Sequence, residues 1–384
     1  MSDLLFERIT TQHPQFTELC TTLNDLKTKK LYFQLTNEIF NFINNQFIST
    51  LNLYKEFYDV FIYDIQTKIA PTKLIQIITK INKQLQPAAA IELLQSIEKV
   101  IEIDIAARCL YYSLLAELYI HQNELIQSRD LLEKAQIMLA HEEGLESIVY
   151  SEYYRITAVF YQAKQNPNLY YKNIVNYLKY VDIKTLEIDD QLVLAKNMMM
   201  SSLLGENVFD FASFLNSPLA VHFGTGEVLP GITQNMTELN GLFMLIKAIN
   251  SGMMNEVNTT LEGLKEFIMK ENALAHHLDK IKEKASLVCL MELIFRTQST
   301  KRTFSFEKIS EVTLVPLQKV EVLIMRAMNL ELVKGFIDQC KEEVTFTWVM
   351  PRVLDKEQFL YVKQQLDEWE SMTRKTLELL AVEE

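Results

Sequence analysis

Along most of the chain, apolar positions recur three and four residues apart, the spacing of helices that bury one face. Breaks fall at Pro71, Pro87, Gly144 and Pro167, with polar turns such as HQNE at 121–124, so the first half reads as helices in antiparallel pairs. The stretch YYSLLAELY at 111–119 has a counterpart in YYRITAVFY at 153–161. Tyr111, Tyr112, Ala116 and Tyr119 recur as Tyr153, Tyr154, Ala158 and Tyr161, an offset of 42 residues in each case. A period of that length holds two helices and their turns, and a small Ala lets crossing helices approach closely. Such units bury their apolar faces by stacking on neighbours. Two further pairs are expected, over 191–215 with a turn at Gly205 and over 242–264 with a turn at Gly252.

After Arg296 the pattern changes. A short strand is expected at 304–306, a helix at 307–312, and a second helix opening near Pro316, with Leu317, Val320, Leu323, Ile324 and Ala327 on one face. A hairpin follows. Gly335, Phe336 and Ile337 form one arm, a polar turn runs from Gln339 to Glu343, and Val344, Phe346 and Trp348 alternate with Thr345 and Thr347 in the period of a half-buried strand. Strand, helix, helix, hairpin is the order of a winged helix, with Val344, Phe346 and Trp348 expected to close its core. Residues 355–381 then read as one long helix. Phe359, Val362, Leu366, Trp369, Thr373, Leu377 and Leu380 make a narrow stripe like a coiled-coil seam, which needs a cover. The predicted fold is mainly α: a solenoid of stacked helical hairpins of tetratricopeptide (TPR-like) type, a winged-helix module, and a long C-terminal helix.

Composition narrows the function. At 384 residues the chain exceeds a single ordinary core, and 9 glycines and 8 prolines are too few for an all-β protein. The net charge of -12 does not favour phosphate backbones or anionic lipid. The winged-helix region 301–355 is itself neutral, with eight basic and eight acidic residues, and Glu321 interrupts Lys319 and Arg326 on the helix that would read DNA. Protein assembly is the better reading. The wing offers strand-edge backbone groups, with Gly335, Phe336, Ile337, Thr345 and Thr347 as the expected partner-facing residues. Phe359, Val362, Leu366, Trp369, Leu377 and Leu380 are the expected contacts of the terminal helix.

No run of about 18 apolar residues occurs, and Asp3 and Glu7 sit where a secretory leader needs positive charge, so a soluble intracellular protein is expected. Cys20, Cys109, Cys289 and Cys340 have neither zinc-site spacing nor a disulfide framework. The six histidines, including adjacent His276 and His277, contain no HExxH spacing. GTGEVLPG at 224–231 lacks the GK[ST] of a phosphate loop, and no GxSxG elbow is found. No cofactor, metal or enzymatic activity is expected.

The stretch EKISEVTLVPLQKVEVLIMRAMNLELVKGFIDQCKEEVTFTWVMPRVL, residues 307–354, resembles the PCI-domain signature of scaffold subunits in the proteasome lid, the COP9 signalosome and translation initiation factor three. Ile309, Pro316, Val320, Glu321, LVKGFID at 332–338 and TWVMPRVL at 347–354 are similar more narrowly to the non-ATPase PCI subunits of the 26S proteasome lid, the subunit-thirteen type. GENVFDFASFLNSP at 205–218 and LIKAINSG at 245–252 match that family's helical half, while HFGTGEVLPG at 222–231 departs from the helical run expected there.

The resemblance implies four parts: a helical-repeat arm at 1–204, the helical half of a PCI domain at 205–300, a winged helix at 301–354, and an assembly helix at 355–384. It implies a scaffold role in ubiquitin-dependent proteolysis, in the cytoplasm and nucleus. Other PCI and MPN subunits of the lid are the implied partners, with the ubiquitin-receptor subunit as a further candidate and neither nucleic acid nor membrane among them. A PCI scaffold of the COP9 signalosome or of initiation factor three, and a nucleic-acid-binding winged helix, stay open as alternatives.

Overall fold

A computed structural model describes residues 17–43, 54–82, 85–142, 144–220, 223, 233–298, 301–354 and 356–381. The chain folds as two compact units, one made of residues up to 165 together with 179–181, the other of 166–178 together with 182–384.

In the first unit, α1 (Thr17–Thr28), α2 (Tyr32–Ile43), α3 (Pro71–Asn82), α4 (Pro87–Ile101), α5 (Ile105–His121), α6 (Leu125–His141) and α7 (Ser147–Ala163) follow one another, with a short helical and π-helical segment at 54–62. The punctuation works as the sequence suggests. Pro71 and Pro87 open α3 and α4, where a missing amide proton is tolerated. The Asp104 carboxylate caps α5 by accepting from the Ala106 amide at 3.0 Å. Gly144 adopts φ +85° between α6 and α7.

The core runs continuously from Leu23 through Phe42, Phe57 and Phe61 to Ile156 and Phe160. The 42-residue echo is visible in three dimensions. Tyr111 meets Tyr112 edge-on with centroids 5.5 Å apart, and Tyr153 meets Tyr154 in the same way at 5.3 Å. Ala116 and Ala158 are both fully buried. Arg155 of α7 grips both oxygens of Glu117 of α5, at 2.7 and 2.9 Å.

The second unit contains α8 (Pro167–Leu178), α9 (Ile188–Leu204), α10 (Thr233–Ser251), α11 (Met254–Gly263), α12 (Leu278–Phe295), β1 (Thr303–Ser305), α13 (Phe306–Thr313), α14 (Leu317–Asn329), β2 (Val333–Asp338), β3 (Glu343–Val349) and α15 (Lys356–Ala381). The pair α10 and α11 turns at Gly252 as expected. Its φ of +72° favours glycine, and a would-be Cβ would lie a tight 3.0 Å from the Glu292 side chain.

The expected hairpin at 191–215 is not formed. After α9 the chain leaves at Gly205 in an extended conformation and regains only a short helix at Ala212–Leu215. The reason lies on α12. The Lys284 ammonium donates to Ser202 O in the last turn of α9 at 2.5 Å and to Gly205 O just past its end at 2.7 Å, while Phe209 and Phe211 lie over it at 5.6 and 5.1 Å. A side chain thus ends α9, and the aromatic segment that follows roofs a buried cation instead of continuing as helix. Burial pulls the Lys284 pKa down from its ordinary 10.5 to about 7. GTGEVLPG lies outside the described residues.

Candidate assembly interface

The winged helix assembles in the expected order. Ser305 caps α13 through the Lys308 amide, and Leu314, in the left-handed region at φ 55°, ends that helix two residues before Pro316 starts α14. Val320, Leu323, Ile324 and Ala327 face the core, whereas Leu317 at the helix entrance is exposed. The sheet order is β1-β3-β2, antiparallel throughout.

That order corrects one expectation and locates another. Thr345 is not an edge residue. It sits on the central strand between Thr303 and Phe336, and its hydroxyl lies 3.0 Å from that of Thr303. Thr347 is exposed beyond the end of β1, its hydroxyl donating to Lys334 O at 3.2 Å. Among the described residues, the long free border belongs to β2. The Phe346 amide donates to Arg302 O, so alternate β3 residues direct their backbone toward β1 and the ones between toward β2. Phe336, opposite Thr345, therefore bonds inward, and the amide and carbonyl of Ile337 point out to the open side. Phe336 itself is 62% exposed, while Gly335 and Ile337 are half-buried.

Trp348 is the second correction. Val344 and Phe346 close the core as expected, but the ladder shifts register between Lys334 and Gly335, and that bulge turns Trp348 outward. The inward phase resumes at Val349, and the Lys334 ammonium covers the exposed indole at 5.1 Å. Gly335 makes the bulge possible, because a Cβ there would fall inside contact distance of Thr345 O and 3.1 Å from Phe346 Cα.

Among the described residues, the terminal helix α15 is anchored only at its root. Gln358 is buried and Tyr361, Val362 and Gln365 are half-buried; from Leu366 to Glu378 every residue is exposed. Phe359, Leu366, Trp369 and Leu377 from the predicted stripe are exposed together with Leu360 and Met372, which the stripe did not include. The Leu380 side chain lies outside the described residues. Two such surfaces, a strand border and a bare apolar helix, are what protein partners cover.

Four of the eight basic residues of the winged helix are paired with carboxylates. Arg326 pairs with Glu283 at 2.8 Å, Lys308 with Glu311 at 3.0 Å, Lys341 with Asp338 at 3.6 Å, and Arg352 is buried against Glu292. The outer side of α14 presents Val322 and Met325. No basic run is left there for a phosphate backbone. Burial also raises the Cys109 thiol to about 11 and the Cys289 thiol to about 12, the opposite of an activated nucleophile.

Sequence reasoning missed one cluster at the root of α15: Glu292, Arg352 and Gln358. A lone acid in the apolar run ASLVCLMELIF was its only signal.

Comparison with known proteins places the chain in one family. Residues 19–224 match the family model described as PSD13 N-terminal repeats, and residues 244–348 match the PCI domain. The chain is 31% identical over 373 residues to the 26S proteasome non-ATPase regulatory subunit 13 of Dictyostelium discoideum, covering 96% of this chain and 93% of the relative. It is 28% identical over 377 residues to homolog A of that subunit in Arabidopsis thaliana, with 97% and 95% covered. Against the probable 26S proteasome regulatory subunit rpn9 of Schizosaccharomyces pombe it is 27% identical over 371 residues, with 96% and 93% covered.

Proposed function

The chain belongs to the family of 26S proteasome non-ATPase regulatory subunits of the subunit 13 type, with PSD13 N-terminal repeats followed by a PCI domain, and from that premise we propose that it is a non-catalytic scaffold subunit of the proteasome regulatory-particle lid, acting in ubiquitin-dependent protein degradation. The observation that carries this reading is the terminal helix: residues 366–378 expose Leu366, Trp369, Met372 and Leu377, and among the described residues nothing covers them. A soluble chain leaves such a stripe bare when another subunit covers it. The β2 border supplies a second contact, through backbone pairing with a neighbouring PCI subunit.

The parts divide the labour as the sequence suggests. The arm is read at 1–204, although α8 and α9 at its end fold with the second unit, and has a ubiquitin receptor as a candidate contact; 205–300 support the winged helix at 301–354; and 355–384 join a bundle with PCI and MPN neighbours. The chain works in cytoplasm and nucleus and binds neither nucleic acid nor membrane. Among the described residues no helix is long and apolar enough to cross a membrane.

Native mass spectrometry of the complex purified on the tagged endogenous chain tests the assignment. Recovery with proteasomal regulatory-particle subunits is expected. Recovery with signalosome or initiation-factor subunits, or as a solitary chain, overturns it.

A further inference from the structure

Glu292 is 4% exposed, yet it is an acid in the stretch of α12 that is buried almost without a break, 284–294. Its Oε1 accepts from Arg296 Nε at 2.7 Å, its Oε2 accepts from Gln358 Nε2 at 2.9 Å, and it pairs with the buried Arg352 guanidinium. Arg352 lies in the connection between β3 and α15, and Gln358 in the first turn of α15. The rest of that connection is pinned too. Met350 donates its amide to Leu332 O at 2.8 Å, Asn216 Nδ2 donates to Leu354 O at 2.9 Å, and the Tyr361 hydroxyl donates to Arg296 O at 2.7 Å.

We propose that the knot of Glu292, Arg352 and Gln358 is an orienting latch: it fixes the direction in which α15 leaves the winged helix, and so holds the exposed stripe in one set relation to the β2 border. Three physical arguments lead there. A buried ion pair adds little net stability over apolar residues of similar volume, so its value lies elsewhere. Apolar contact is non-directional, whereas charge-assisted hydrogen bonds to one carboxylate fix angles. Finally, α15 is a lever. Leu377 lies about 28 Å along the helix from Gln358 at about 1.5 Å per residue, so a tilt of about 10° at the root swings it sideways by about 5 Å. Knobs that must enter preformed holes cannot tolerate that displacement. The latch is a property of the free chain and stands apart from which particle the chain joins.

Double electron–electron resonance on the full-length free chain tests it. Spin labels are placed at Lys282→Cys on α12 and Lys375→Cys on α15, with Cys20 and Cys340 replaced by Ser. The parent is expected to give one narrow distance distribution. Glu292→Met combined with Arg352→Met exchanges the buried pair for apolar volume and is expected to keep cooperative melting while broadening that distribution at least twofold. A folded double variant with the parental width overturns the latch, because packing alone then sets the direction. Should the double variant fail to melt cooperatively, Gln358→Met decides in its place: broadening supports the latch and the parental width overturns it.

Discussion

Truncating the exposed stripe with Leu366→Ala and Trp369→Ala isolates the burial that assembly supplies, since Ala keeps the helix and adds no charge. Trp369 is 69% exposed; on a side chain of about 250 Å² that is about 170 Å², or about 4 kcal/mol at about 25 cal/mol per Å². Leu366, 56% exposed, adds about 1 to 1.5 kcal/mol on full burial. Immobilising the two side chains costs about 0.5 to 1.5 kcal/mol each, which leaves about 3 kcal/mol, or about two orders of magnitude in affinity. The free chain should not notice, because substitutions at exposed positions away from special features stay within about 0.5 kcal/mol. The assay is competition. Tagged parent and variant are expressed together at equal level with partner subunits limiting, and their ratio in purified particles is measured by mass spectrometry alongside the melting of each free chain. The expected result is strong depletion of the variant in particles with unchanged melting. Equal incorporation would refute the burial of this stripe in the assembly.

The wing makes a paired prediction: Ile337→Pro, which removes an amide pointing to the open side of β2, should fold and lose docking to a neighbouring PCI subunit, whereas Thr345→Pro on the central strand should unfold the winged helix. Circular dichroism and pull-down separate the two, and normal docking of a folded Ile337→Pro chain would count against strand-border pairing. Gly335→Ala should destabilise the winged helix by about 1–3 kcal/mol in urea titration, because its Cβ collides with Thr345 O on the paired backbone; an unchanged midpoint would mean that the bulge relaxes freely. Between about pH 7 and 10.5 the unfolded chain keeps a proton on Lys284 that the folded chain releases, so stability should rise with pH there, by up to about 1.4 kcal/mol per pH unit. Lys284→Met should abolish that slope in denaturant titrations at pH 7.5 and 9, and an equal slope in both chains would refute the assignment.

What the sequence made legible was local. Helix starts at Pro71 and Pro87 and the tyrosine pairs 42 residues apart follow from spacing and backbone chemistry within a few residues, and they are found where expected; of the stripe on α15, Phe359, Leu366, Trp369 and Leu377 are exposed while Val362 is half-buried. What it hid depends on residues far along the chain. Alternation placed Trp348 in the core, but a one-residue bulge, forced where the Gly335 backbone approaches Phe346, reverses the phase. A hairpin sequence says that β2 pairs with β3; it does not say that β1 adds to the far side of β3 and makes Thr345 central. The hairpin expected at 191–215 failed because Lys284, some 80 residues later, takes one carbonyl in the last turn of α9 and one just past its end. Nothing in the local pattern distinguishes that lysine from a solvated one.

The terminal helix inverts the usual arrangement, burying a glutamine and a salt-bridged acid at its root and exposing tryptophan along its length. A helix without tertiary contacts is marginal in water, so an uncovered stripe would fray unless something local sustained it. Arg374 reaches Glu370 at 2.7 Å one turn away, and Gln364 reaches Glu368 at 3.1 Å, pairs that each add a few tenths of a kcal/mol to an isolated helix. Latched root and paired flanks serve the same end. If the helix were both unoriented and unfolded in the free chain, assembly would first have to order it, at about 1–2 kcal/mol per backbone residue, and the surplus from burying Leu366 and Trp369 would be consumed within a few residues. Preorganisation at both levels is therefore what lets so narrow a stripe act as an assembly surface at all.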